Sequence, residues 1–137
     1  MNVLAKKRPV NWVSKKLLSL GFSNASVLGI TEGASYEVHG VVVWCEVVFF
    51  QIVSDSGILS WLPSLAFEVI DRSVPNDWLV NQFDDEVQFI LGPAFISDSK
   101  QDYGDMVELD PEKVRQFRAR FAQRSLLQRN FQATDEQ

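Results

Sequence analysis

The sequence predicts an α+β fold that is mainly β: a small barrel with an added β-hairpin and a helix at each end. Three observations carry that expectation. Residues 36–71 are almost continuously β-branched, aromatic or apolar, the composition of strands. Turn formers punctuate the block, above all Asp55-Ser56-Gly57, whose glycine supplies the positive φ of a hairpin loop. Helical spacing of apolar residues is confined to the flanks, at Val13, Leu17 and Leu20 and at Val114, Phe117 and Phe121.

A chain of 137 residues is expected to form one domain, with a core large enough to need no disulfide. With 46% apolar and 23% charged residues it has a globular composition. The first helix spans about 10–21, with Asn11 as N-cap and Gly21 at the C′ position. The barrel and hairpin occupy about 26–96. Within them, 27–30 reads as a short strand or extended segment and 31–35 as a turn. Gly40 inside an apolar strand marks a bulge or bend, as a barrel corner requires. The near-continuous apolarity of 41–50 implies that both strand faces are covered, one by the barrel interior and the other by a terminal helix. A strand at 58–62 ends at Pro63, which has no amide hydrogen for a ladder. Two more strands, 78–81 and 87–91, flank the acidic loop Asp84-Asp85-Glu86, and Gly92-Pro93 stops the second. Residues 98–105 read as a polar loop. Asp110-Pro111-Glu112 opens a C-terminal helix over 110–129, with proline at its first position and acids at its positive end. Residues 131–137 read as a frayed tail.

The run Ser60-Trp61-Leu62-Pro63-Ser64-Leu65-Ala66-Phe67-Glu68-Val69-Ile70, following the hairpin at 55–57, resembles the closing half of an SH3-like barrel. In that family an aromatic residue, an apolar residue and a proline precede one turn of 3₁₀ helix and the last strand. The resemblance covers residues 31–71, about 30% of the chain. It implies the barrel, whereas the proline-peptide groove of true SH3 modules needs an ALYDY-like segment before Tyr36 and a tyrosine within 65–67. Neither is present. The chain is also loosely similar to small bacterial immunity-type proteins.

Charge is partitioned along the chain. Residues 1–30 hold five bases and no acid, 31–110 hold fifteen acids against Arg72 and Lys100, and 111–137 hold six bases against three acids. The segment charges are +5, −13 and +3 within a net −5. Such a chain either docks its basic ends on the acidic body or presents opposite faces; docking is the simpler expectation.

Most catalytic chemistries find no support. His39 and Cys45 lie six residues apart, about 20 Å along a straight strand, too far for a nucleophile–base pair. Cys45 therefore reads as a buried reduced thiol and His39 as a surface or satisfied side chain. One histidine and one cysteine make an unpromising zinc ligand set. Counted from Asp98, a calcium loop fails at Lys100, at Tyr103 where glycine is needed, and at Leu109 where glutamate is needed. No phosphate loop or dinucleotide fingerprint occurs. No cofactor and no metal is expected, and the many carboxylates read as a solvated face. The acidic body opposes nucleic-acid binding, leaving only the basic C-terminal helix for it. No segment reaches the roughly 20 apolar residues of a membrane span, and 17–22 is too short and polar for a signal core, so a cytoplasmic location is the default.

The leading functional expectation is a non-enzymatic acidic protein-binding domain, an inhibitor or immunity type that neutralises a basic partner such as a toxin. Its candidate contact residues are Asp84, Asp85 and Glu86, with Asp55 of the hairpin loop and the aromatics Trp44 and Trp61. The alternative is an SH3-like adaptor or assembly subunit that binds a peptide or protein around Trp61, and the third is a small-ligand binder or an enzyme using carboxylates.

Overall fold

The computed structural model describes residues 1–122. They form two antiparallel sheets and four helices, an α+β fold that is mainly β. The strands are β1 (Asn2–Ala5), β2 (Ser35–Glu37), β3 (Gly40–Trp44), β4 (Val47–Val53), β5 (Leu59–Pro63), β6 (Phe67–Asp71), β7 (Leu79–Asn81) and β8 (Val87–Gly92). The helices are α1 (Lys15–Ser19), α2 (Ala94–Ser97), α3 (Lys100–Val107) and α4, helical over 111–122. One sheet has the order β2-β1-β6 and the other β5-β4-β3-β8-β7, and no closed barrel is seen among the described residues.

The expected first strand is in fact two, β2 and β3, which belong to different sheets. The chain crosses between them at Val38 and His39, immediately before Gly40. Gly40 is needed for close approach. A Cβ there would lie 2.9 Å from Ile96 Cδ1 and 3.1 Å from Trp61 Cη2. The one irregularity of β3 lies instead at Val43/Trp44, against β8. β3 and β4 are joined by the two-residue turn Cys45-Glu46, with φ of 49° and 69°. Two consecutive left-handed residues make a tight hairpin of the kind that asparagine and glycine normally signal, so the composition hid it. The turn is held by Cys45 N–H donating to Glu86 O (2.8 Å) and Glu46 N–H donating to Gln88 Oε1 (2.7 Å). Cys45 is thus a half-exposed turn residue, not a buried strand thiol.

Three further expectations are corrected. The N-terminal helix starts later than 10–21 because Ser14, not Asn11, caps it, its Oγ accepting from Leu17 N–H. Its end is as expected: Gly21 has φ 97°, and Phe22 and Gly21 donate to Leu17 O and Leu18 O, closing a Schellman motif. Residues 27–30 form no strand, while β1, unanticipated, is the central strand of its sheet. Residues 98–105 are not a loop, since Ser99 caps α3 by accepting from Asp102 N–H (3.0 Å) and donating to Asp102 Oδ2 (2.7 Å). Asp110 caps α4 as expected, accepting from Glu112 N–H at 3.2 Å. The rest of the expected helix to 129 and the tail at 131–137 lie outside the described residues.

Side-chain alternation along β4 places the core on both faces of the large sheet. Phe50 and Ile52 join Leu62 in one buried cluster with Val3 and Ala5 of β1 and Phe67 of β6. On the opposite face Phe49 packs with Val42 and Ile90, and beyond it Ile96, Met106 and Phe117 of α2, α3 and α4 pack with Trp61. Both strand faces are covered, by a second sheet and by helices. After Pro63, a 3₁₀ turn at Ser64–Ala66 leads into β6.

Candidate functional site

On the helix-covered face, alternation brings Val42 and Trp44 of β3 and Phe49 of β4 to the same side, with Val42 registered on Phe49. Trp61 of β5 is registered on Gln51, the next position of β4 on that side. α3 crosses this face with Tyr103, Gly104 and Val107, and Leu20 and Phe22 follow from the end of α1. Between them runs a groove of about 410 Å³, with Glu108 also in its lining. Its aromatic rings form two walls. Phe49 lies 5.9 Å from Trp44 and 6.0 Å from Phe22, and Trp61 meets Tyr103 edge-on at 5.8 Å. Burial, then the nearby Cys45, pushes the Tyr103 hydroxyl up to about 12. Trp61 Nε1 and Gln51 Nε2 are buried without a hydrogen-bond partner among the described residues.

Trp44 and Trp61 therefore line the same groove. The sequence does not signal Tyr103 there, because 98–105 reads as a loop, nor Leu20 and Phe22, whose approach to β3 and β4 is set by how the end of α1 packs. The signal that could have found α3 is Ser99 three residues before Asp102, a capping pair.

The acids divide. Asp84 serves its own loop: Oδ1 accepts from the backbone N–H of Glu86 (2.9 Å) and Val87 (2.8 Å), and Oδ2 pairs with Lys100. The hydrogen bond from Lys100 and then that from Val87 hold its carboxyl below the usual aspartate range. Asp85 and Glu86 are exposed. Through the bond from Cys45 N–H to Glu86 O, this loop sits beside the β3–β4 turn, next to Trp44. Glu46 of that turn is exposed and pairs with Lys16 at 3.4 Å. Asp55 is elsewhere, at the opposite end of β4, about 20 Å along the strand. There it accepts from Tyr36 Oη (2.6 Å) and Thr31 Oγ1 (2.7 Å), pinning the 31–36 segment.

The expected docking of the basic C-terminal helix is seen for two of its side chains. Lys113 donates to Asp102 (2.6 Å) and to Phe95 O (2.7 Å), and Arg120 pairs with Asp77. Arg115 pairs with Glu112 within its own helix. His39 and Cys45 flank β3 at its two ends, and His39 is buried, its ring 4.7 Å from that of Phe117. Among the described residues no cluster of three or more His, Cys, Asp or Glu side chains is placed to hold a metal, and no helix is long and apolar enough to cross a membrane. No family model, curated protein or solved structure matches the chain.

Proposed function

We propose that this protein is a non-enzymatic binding domain that docks a basic protein partner on the Trp44 end of the five-stranded sheet. The apolar groove is the anchor, and the acids Asp85, Glu86, Glu46 and Glu108 are the rim. The observation that carries this reading is the juxtaposition of Trp44 and Trp61 in one groove beside the acidic β7–β8 loop. Interfaces commonly place an aromatic anchor inside a charged rim, the anchor governing dissociation and the rim association. Neutralisation of a basic toxin is one role that such a surface serves; an adaptor role around Trp61 would use the same groove.

Gly104 supports an open groove. A side chain there would meet nothing within 4 Å, so packing does not require glycine, and glycine inside a helix costs about 1 kcal/mol relative to alanine. Gly104 lines the groove, so Gly104→Leu adds bulk at its margin from an unhindered site.

The test begins with capture of partners from the native cell at low and physiological salt, followed by kinetics with the purified partner. Asp85→Lys/Glu86→Lys is expected to slow association most at low salt, and Gly104→Leu to speed dissociation. Asp84 is left intact, because its loss would undo the loop. A partner bound equally well by both variants would refute the proposal.

A further inference from the structure

We infer that the groove is built to take the side chain of an arginine from the partner, its methylenes between the aromatic walls and its guanidinium at the Glu108 end. The inference rests on the binding reading above and names what the anchor site recognises. Two features of the lining favour a cation. Glu108 contributes a carboxylate that makes no ion pair among the described residues. The rings of Trp44, Trp61 and Tyr103 line the groove, and the face of an aromatic ring attracts a cation, indole most strongly.

The neighbouring bases do not cancel this field at the groove, since Lys16 is engaged by Glu46 and Lys100 by Asp84. Among cationic side chains, the planar and weakly hydrated guanidinium stacks on aromatic surfaces at a lower desolvation cost than the compact ammonium of lysine. A volume of about 410 Å³ accommodates such a side chain. The wide apolar lining rules against a free inorganic cation, which it could not hydrate or ligate.

The test titrates the ¹⁵N-labelled full-length protein with N-acetyl-arginine amide, N-acetyl-lysine amide and N-acetyl-norleucine amide, following the indole N–H signals. Arginine amide is expected to shift Trp44 and Trp61 at about tenfold lower concentration than norleucine amide. Glu108→Gln, an exposed change that leaves the fold intact, should erase most of that advantage, and Gly104→Leu should abolish the shifts. Equal response to norleucine amide, a stronger response to lysine amide, or indifference to Glu108→Gln would each overturn the arginine assignment. Those failures are separable from failure of the binding reading. If Gly104→Leu still releases the protein partner while arginine amide does nothing, the groove is an anchor site for another side chain.

Discussion

Replacing Gly92 by alanine is the sharpest probe of how the helices seat on the large sheet. Gly92 of β8 and Gly40 of β3 face each other, and both lie under the side chain of Ile96. A Cβ at 92 would stand 2.8 Å from Ile96 Cδ1 and 3.2 Å from its Cγ1. Neither glycine has a positive φ, so the backbone itself accepts alanine. On chain entropy alone, Gly92→Ala would add about 0.4–1 kcal/mol of stability. Overpacking opposes this with about 1–3 kcal/mol, because Ile96 is fully buried and its δ-methyl cannot simply rotate away. The net expectation is a loss of about 1–2 kcal/mol, or about 4 °C in Tm per kcal/mol for a chain of this length. Ile96→Val alone should cost about 0.5–1.5 kcal/mol. It also removes Cδ1, the nearer of the two atoms that the new Cβ would crowd, so the double variant should lose clearly less stability than the sum of the two single changes. Urea denaturation of all four proteins measures the coupling. Additivity within about 0.5 kcal/mol would refute the reasoning, since distant, independent sites behave that way.

Other expectations follow from single contacts. Lys113→Met leaves Asp102 and Phe95 O without their partner and should cost about 1–2 kcal/mol, with α4 losing hydrogen-exchange protection before the sheets. Burial raises the Asp102 carboxyl, but hydrogen bonds from Lys113 and Ser99 outweigh it and hold the group below the ordinary 3.8. A lowered folded value means that this stabilisation is present above the ordinary pKa and is lost as pH falls through the folded one. Acid titration should therefore show a step that Asp102→Asn removes. Tyr103 has the opposite sign. Its folded value of about 12 exceeds the unfolded value near 10, so its contribution is intact below pH 10 and is lost between the two. Tyr103→Phe should flatten that alkaline decline in a denaturation series. Finally, Cys45→Asn/Glu46→Gly suits the two left-handed turn positions and should stabilise the protein by about 1 kcal/mol, read as a higher urea midpoint.

The legible parts of the fold are those set by local chemistry. Gly57 in its hairpin, Pro63 ending β5, the capped start of α4 at Asp110-Pro111 and the Schellman end of α1 at Gly21 each follow from a neighbour or two in the chain. The elements that escaped have weak local signals and strong distant partners. β1 offers only Val3 and Ala5 as core residues, and it is a strand because β2 and β6 pair with it on both sides. Cys45-Glu46 is a turn because Glu86 and Gln88 hold its amides. α3 carries charged and glycine residues that read as a loop, and its place is decided by Met106 and Tyr103 against the sheet.

The candidate site divides in the same way. The sequence by itself determined that an acidic loop lies between two strands, that Trp44 and Trp61 sit on strands of a β-rich block, and that a basic amphipathic helix opens at Asp110-Pro111. Only the tertiary structure decided which of these meet. Register across β3, β4 and β5 puts both tryptophans on one face, and α3 completes the groove over them. Asp84 is turned to its own backbone and Asp55 is sent to the far end of β4. Alternation and turn chemistry are properties of a few consecutive residues, whereas register, sheet order and helix docking are settled by burial summed over the whole chain.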